Sequence, residues 1–251
     1  MRILVCIKRV PAPGARIVLS EDGRSIDTKL LSFTVSPHEE CAVEEAVRIA
    51  EGSDGEVTVL TLGPSEAEEQ LRSALAVGAH EAVLIPTDGS DWDPISTASA
   101  ITSATRSLEA DGQFDLILFG NESADAGGYQ VGIRVAHALG RPVVSGIKGI
   151  DLDDVSVRLR RESASGSEIY SLPLPAVVAV KEGINLPRYP TLKGRLNAKK
   201  VEVQRIEEPN VGSGQALVRL ETPPQEVSET TILADAGAVV DVLEELQVVK
   251  S

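Results

Sequence analysis

Aromatic residues and cysteines are scarce in this chain of 251 residues. Aromatic residues make up 3% of it, which leaves little material for an aromatic cage around a cationic ligand. The two cysteines, Cys6 and Cys41, have neither the spacing of metal ligands nor that of a disulfide framework. Cys6 lies in an apolar run, and we predict that it is a small core residue.

The chain also lacks an excess of basic charge and long apolar runs. Its net charge of -14 argues against nucleic acid as a partner, because binding to phosphates requires clustered Lys and Arg. No apolar run is long enough to span a bilayer, and residues 1–3 lead directly into a strand rather than into a signal peptide. We therefore expect no membrane insertion and a cytoplasmic location.

What the sequence does contain, up to about residue 140, is an alternation of short apolar runs with amphipathic segments. Buried strands are predicted at residues 2–8, 56–62, 82–85 and 114–119, and helices are predicted from Ser36, after Ser65, over 94–108 and from Val131. Ser36 and Glu39 form a capping box around Pro37, and Ser65 with Glu68 predicts a second box. This alternation predicts an α/β fold with a Rossmann-like open, mostly parallel sheet and helices on both faces.

The pattern changes after residue 142. Polar alternation over 147–152, 155–160 and 168–172 predicts a small antiparallel extension, and residues 174–180 return to a buried strand. Residues 15–34, which contain Asp22-Gly23, predict a hairpin excursion. We expect a nucleotide-binding domain over 1–200, followed over 201–251 by an extended arm and a final helix, Ala234 to Leu246, that pack on a partner subunit.

Residues 185–200 combine two prolines, one glycine and five basic residues, which makes regular structure a poor expectation. An ordinary solvated loop is the simplest interpretation. The apolar side chains of Leu186, Tyr189, Leu192 and Leu196 favour a docking loop instead.

Residues 114–139 predict a strand, a glycine-rich polar loop and a helix. In a parallel sheet such a loop leaves the carboxyl end of a strand, where ligands bind, and the amides that open the helix favour an anion. Gly127-Gly128 permits close approach of a phosphate, although the loop matches neither GxGxxG nor GxxxxGK[ST]. A nucleotide site and an ordinary strand-to-helix turn both remain open at this point. An acid–base pair of Asp125 and His137 has little support.

Several blocks of sequence carry a resemblance to a known family. They are Lys8-Arg9-Val10, 42–46, Gly63-Pro64, 74–79, and a longer block with Arg161-Glu162, Gly166, Glu168, 174–178, Asn185, 187–189, Thr191-Leu192 and 198–200. In these residues the chain resembles the β subunit of electron transfer flavoproteins, over nearly its whole length.

The resemblance implies a heterodimer whose α subunit holds most of the FAD, with structural AMP in the β subunit. It also implies that Glu162 lies near the flavin, and that Lys8 and Gly166 influence the flavin as well. The implied cofactor-binding residues are Cys6, Lys8, Ser36, Pro37, His38, Glu39, Leu62, Gly120, Asn121, Glu122, Ser123, Ala124, Asp125, Ala126, Gly127, Gly128, Tyr129, Gln130 and Val131.

The chain departs from the family pattern at some of these positions. Tyr129 stands where many relatives have asparagine or alanine, Val131 stands where many have threonine, and His38 replaces a phenylalanine. The acidic-glycine turn of the family is Ala164-Ser165-Gly166 here.

The implied function is electron carriage without substrate turnover of its own, from flavin dehydrogenases such as acyl-CoA dehydrogenases to a membrane quinone oxidoreductase or another acceptor. The implied docking residues are Tyr189, Leu192, Lys193 and Arg195. Two alternatives stay open: a bifurcating flavoprotein with a second FAD in the β crevice, and a freestanding adenine-nucleotide-binding module or hydrolase of similar fold.

Overall fold

The computed structural model describes residues 1–212, 215, 217–224 and 230–249. Eleven strands lie within them: β1 (Arg2–Ile7), β2 (Val10–Pro11), β3 (Phe33–Thr34), β4 (Glu56–Gly63), β5 (Glu81–Pro86), β6 (Leu116–Gly120), β7 (Val143–Leu152), β8 (Ser156–Ser163), β9 (Gly166–Pro173), β10 (Ala176–Val180) and β11 (Val203–Arg205). The α-helices there are α1 (Pro37–Ser53), α2 (Glu68–Val77), α3 (Pro94–Leu108), α4 (Val131–Leu139), α5 (Leu192–Ala198) and α6 (Ala236–Glu245).

Nine strands form one sheet in the order β11-β5-β4-β1-β6-β10-β7-β8-β9, and β2 pairs with β3 separately. Neighbours from β11 to β7 are parallel, whereas β8 and β9 form an antiparallel extension. From β1 the chain builds β4 and β5 on one side, then returns to place β6 on the other. This order confirms the predicted α/β fold and puts the switch point, where open sheets bind ligands, between β1 and β6.

Helices cover both faces of the sheet, because the central strands are apolar on both sides. Ile3 and Val5 of β1 belong to the core under α1 and α2, while Leu4 and Cys6 belong to the core under α3 and α4. Cys6 is buried, as predicted, and burial raises the pKa of its thiol. The strand therefore supplies core packing, and its reactive group stays protonated.

The predicted capping box at α1 is confirmed. The Ser36 hydroxyl accepts the Glu39 N–H at 3.4 Å, and the Glu39 carboxyl accepts the Ser36 N–H at 3.2 Å. The prediction of a second capping box, at Ser65 and Glu68, is wrong. Ser65 opens a 3-10 turn, and α2 begins at Glu68 with no capping side chain. Glu68 is instead bound by Arg72, four residues on, at 2.8 Å.

The prediction that residues 185–200 lack regular structure is also wrong, because α5 spans Leu192–Ala198. Both prolines of the segment precede the helix, and Thr191 caps it by accepting the Gly194 N–H at 3.0 Å. Arg72 donates to the carbonyls of Ala198 and Val201, each at 2.5 Å, and so satisfies the carboxyl end of the helix.

The C-terminal arm begins as an edge strand of the sheet, since β11 pairs with β5 in parallel register. Beyond it, α6 buries none of its described residues, and Ile232 is 92% exposed. Residues 213, 214, 216, 225–229, 250 and 251 of the predicted arm lie outside the described part of the chain. The division at residue 200 stays a prediction. Among the helices that are described, none has the length and apolarity needed to cross a membrane.

Candidate functional site: a crevice at the carboxyl ends of β4, β1 and β6

The fold gathers most of the predicted nucleotide-binding residues at one edge of the sheet. Lys8 follows β1, Leu62 lies near the end of β4, and Gly120 ends β6. These strands are adjacent and parallel, so their carboxyl ends meet. Ser36 brings the amino end of α1 over the same edge. We call this place the crevice.

Gly120 is required by the close approach of α1 to the end of β6. A Cβ atom at this position would lie 2.5 Å from Cγ of Glu39 and 3.3 Å from Cβ of His38. Any other residue would therefore displace the first turn of α1. This contact sets the floor of the crevice.

Glu39 is the buried acid of this floor, with 6% exposure. Burial raises the pKa of its carboxyl from 4.5 to about 8, although hydrogen bonds from the backbone of Lys8 and Ser36 oppose the shift. The carboxyl is consequently mostly neutral near pH 7. It adds little negative charge to a site that is predicted to bind phosphate.

The loop over residues 121–130 is fastened to the sheet and to β1. The Asn121 N–H donates to the Val180 carbonyl at 2.8 Å, and the Lys8 ammonium lies 2.6 Å from the Asp125 carboxylate. Burial works against ionisation of Asp125, but the charge and hydrogen bond of Lys8 and a hydrogen bond from Ser123 hold the pKa of that carboxyl below its usual value. Asp125 is thus engaged by a cation, and His137 lies in the last turn of α4.

Two side chains, those of His38 and Tyr129, interact with the Glu122 carboxylate. Nε2 of His38 lies 3.4 Å from this carboxylate, and a hydrogen bond with Tyr129 raises the pKa of the tyrosine. Nδ1 of His38 accepts the Glu182 N–H at 2.8 Å, so the neutral ring carries its proton on Nε2, facing Glu122. Each carboxylate of the loop therefore has a polar partner.

The amino end of α4 opens onto this loop without a side-chain cap. Gln130 precedes the helix, but its side chain accepts from Arg134 at 2.9 Å instead. Gly127 has a φ of +53°, which favours glycine, and a Cβ atom at Gly128 would meet nothing within 4 Å. A helix start without a side-chain cap, next to open space, is the arrangement that binds an anion.

Two groups of predicted residues lie apart from the crevice. Glu162 is on β8, three strands from β6, where its carboxylate lies 3.0 Å from Lys148. Gly166 occupies the β8–β9 turn with a φ of +133°. The docking residues lie on and just before α5, with Tyr189 94% and Leu192 76% exposed. Lys193 and Arg195 are also in α5.

The side chains that hold residues 185–200 to the body of the protein were not predicted from the sequence. Arg188 binds Glu44 and Glu51, and Asn185 binds Glu45, all on α1. Glu44 and Glu51 are seven residues apart, the spacing that puts two side chains on one face of a helix. That spacing was visible in the sequence, but the partner more than a hundred residues away was not. In the described chain, no cluster of three or more His, Cys, Asp or Glu is arranged to hold a metal ion.

Comparison with known proteins places the chain in a family. A family model described as "Electron transfer flavoprotein domain" matches residues 27–211. The protein called electron transfer flavoprotein subunit beta in Mycobacterium tuberculosis (strain H37Rv) is 36% identical over 207 residues, which are 80% of this chain and 77% of that protein.

Two further relatives carry the same name. The Mycobacterium leprae protein is 37% identical over 207 residues, covering 80% of this chain and 77% of its own. The Bacillus subtilis (strain 168) protein is 33% identical over 207 residues, covering 82% and 79%. With a domain match over most of its length and these relatives, the chain belongs to the electron transfer flavoprotein β-subunit family.

Proposed function

We propose that this chain is the β subunit of a heterodimeric electron transfer flavoprotein that binds AMP in the crevice and helps an α subunit to hold FAD. The heterodimer accepts electrons from flavin dehydrogenases, with acyl-CoA dehydrogenases as the expected class, and passes them to a membrane quinone oxidoreductase or another acceptor. The observation that supports AMP binding most directly is the uncapped amino end of α4 at the switch point of the sheet.

The charges of the crevice support a phosphate there. Three carboxyl groups surround it, but Glu39 is mostly neutral near pH 7, Asp125 is paired with Lys8, and Glu122 faces His38. The amides from Gly128 into the first turn of α4 would receive the phosphate. Asn121 and Ser123 would supply hydrogen bonds to the sugar or base.

FAD, when bound between the subunits, supplies the electron-carrying chemistry. This chain would contribute Lys8, Glu162 and Gly166 on the flavin side. The Lys148 hydrogen bond lowers the pKa of Glu162, so this residue presents a carboxylate at neutral pH. A fixed negative charge of this kind would orient cationic groups of the α subunit.

Membership in a β-subunit family implies an α subunit, and the arm supports this partner. Its described apolar side chains include Ile232 and Val218, which are 92% and 79% exposed. Such groups cost solvation free energy unless another surface covers them. We infer that the α subunit is that surface.

The docking segment, which we define as residues 185–200, would bind the dehydrogenase. Leu192 opens α5 with Lys193 next to it and Arg195 one turn on, so an exposed apolar group is surrounded by positive charge. Burying one leucine contributes about 1.5–3 kcal/mol, or roughly one to two factors of ten in affinity.

The test is Leu192→Ala, assayed by steady-state reduction of the heterodimer against the concentration of an acyl-CoA dehydrogenase. We expect electron acceptance at sub-saturating dehydrogenase to slow by about tenfold, with the flavin spectrum and nucleotide content intact. Leu30→Ala is the matched control, because Leu30 is 98% exposed and lies outside the docking segment. An unchanged rate for Leu192→Ala would reject it as the anchor, and a lost flavin spectrum would show a structural role.

A further inference from the structure

Arg188 connects the docking segment to the body of the protein through hydrogen bonds to two glutamates of α1. Its Nε lies 2.9 Å and its Nη2 3.1 Å from the two carboxylate oxygens of Glu44. Nη1 and Nη2 lie 2.7 and 3.0 Å from the two oxygens of Glu51. The backbone N–H of Arg188 also donates to the Glu44 carboxylate at 3.0 Å. One guanidinium thus bridges two carboxylates that lie two turns apart on the same face of α1.

This bridge is partly buried, which makes it costly to leave incomplete. The Glu44 side chain is 7% exposed and that of Arg188 is 35% exposed. Its hydrogen bonds to Glu51 and Glu44 raise the pKa of Arg188, so the guanidinium stays charged. A buried carboxylate without its cation is strongly unfavourable, and Arg188 is therefore held in one position.

Two apolar residues close to Arg188 in the chain are exposed to solvent. Leu186 is 91% exposed and Tyr189 is 94% exposed. Asn185 adds a second attachment, since its amide donates to Glu45 at 2.8 Å and to the Cys41 carbonyl at 3.0 Å. Arg72 fastens the far end of α5. The segment is consequently fixed to the body at both ends, while Leu186, Tyr189 and Leu192 are exposed.

We propose that Arg188 is a positioning residue that holds Tyr189 and Leu192 in their docking arrangement before the dehydrogenase arrives. The inference rests on the proposed docking function and adds to it the group that orders the segment. A surface that is ordered in advance loses less conformational freedom on binding, and it therefore binds more tightly with the same contacts. Arg188 itself need not touch the dehydrogenase.

Two variants separate this role from simple stabilisation of the fold. Arg188→Lys keeps a positive charge beside Glu44, but an ammonium cannot bridge two carboxylates as the planar guanidinium does. Glu51→Gln weakens only the outer half of the bridge, at a side chain that is 59% exposed. Asp111→Asn is the matched control, because it removes one exposed carboxylate just beyond α3, a helix that covers the opposite face of the sheet from α1.

The experiment uses the intact heterodimer and a purified acyl-CoA dehydrogenase as the probe. We expect KM for the dehydrogenase to rise by roughly five- to tenfold in Arg188→Lys and by about threefold in Glu51→Gln, with kcat unchanged in both. Hydrogen exchange should become faster over 185–198 and stay the same over 56–63 in β4. Asp111→Asn should match the wild type in both measurements.

The outcomes distinguish the positioning role from the docking function. If Leu192→Ala raises KM while Arg188→Lys and Glu51→Gln leave it unchanged, the positioning role is rejected and docking stands. If Leu192→Ala also leaves KM unchanged, the docking function itself fails and the inference with it. If Arg188→Lys does not fold, Glu51→Gln decides, since its exposed side chain leaves the buried half of the bridge in place.

Discussion

The central sheet and the C-terminal arm use similar apolar residues in opposite ways. Leu116, Ile117 and Leu118 of β6 have 0% exposure, because helices cover both faces of their strand. In the arm, Ile232 is 92% exposed and α6 buries none of its described residues. An apolar pattern in the sequence therefore predicts that a surface will be covered, but it does not say whether the same chain covers it.

The contacts of the arm support this difference. Beyond β11, the Leu220 N–H donates to the Gly23 carbonyl at 2.7 Å, and Arg219 pairs with its neighbour Glu221 within the arm. The contact with Gly23 brings the arm against the turn of the 15–34 excursion. These contacts leave Val218 and Ile232 of the arm exposed.

The contrast between the central sheet and the arm would be contradicted if core and arm residues contributed equally to the stability of the isolated chain. We expect Ile117→Ala to lower the free energy of unfolding by about 2–5 kcal/mol, because it leaves a cavity between two packed layers. Ile232→Ala should change it by less than about 0.5 kcal/mol, because its side chain is already in water. Urea unfolding of both variants as isolated chains measures the contrast, and equal losses would contradict it.

The α subunit should remove the difference by covering the arm. A partner present at a hundred times its Kd stabilises the bound chain by about 2.7 kcal/mol, which for a chain of this size raises Tm by roughly 5–10 °C. A chain that ends after Ile206 is the matched control and should gain less. Equal melting temperatures with and without the α subunit would show that the arm is not an assembly element.

The pH dependence of stability tests the burial of Glu39 in the body. In the folded protein the pKa of the Glu39 carboxyl is about 8, above its ordinary value of 4.5. The contribution of the neutral carboxyl to stability is therefore complete below pH 4.5, and it is lost as the pH rises towards 8. Within this window the free energy of unfolding should fall by up to about 1.4 kcal/mol per pH unit. Glu39→Gln should flatten the dependence, whereas Glu56→Gln, at an exposed carboxylate, should not. Identical pH slopes for wild type and Glu39→Gln would contradict the assignment.

Local patterns predicted the fold well where neighbouring residues decide the structure. Ser36, Pro37 and Glu39 form a complete cap within four residues, and the bounds predicted for α3, residues 94–108, agree with Pro94–Leu108. The turn at Asp22-Gly23 was predicted as well, and the Leu19–Ile26 bridge encloses it. In each case the hydrogen-bond partners lie within a few residues.

The sequence could not predict features that depend on distant partners. The carboxyl end of α5 is satisfied by Arg72, more than a hundred residues earlier, and β11 needs the exposed edge of β5. At Ser65 the local pattern matched that at Ser36, yet the chain forms a 3-10 turn there. For the crevice, the strand ends and the glycine loop were predictable. The partners that neutralise Asp125 and face Glu122 depend on the sheet order.

The most direct measurement is the identity and amount of nucleotide released by heat from the purified heterodimer, determined by mass. We expect one AMP and one FAD per heterodimer. Gly128→Val should lose AMP and keep FAD, while Gly52→Val, which also meets nothing within 4 Å, should keep both. Gly127→Val is less informative, because a φ of +53° strains valine even without a ligand. Two FAD per heterodimer would show a second flavin in the crevice, and the absence of adenine nucleotide, or full AMP content in Gly128→Val, would contradict the proposed site.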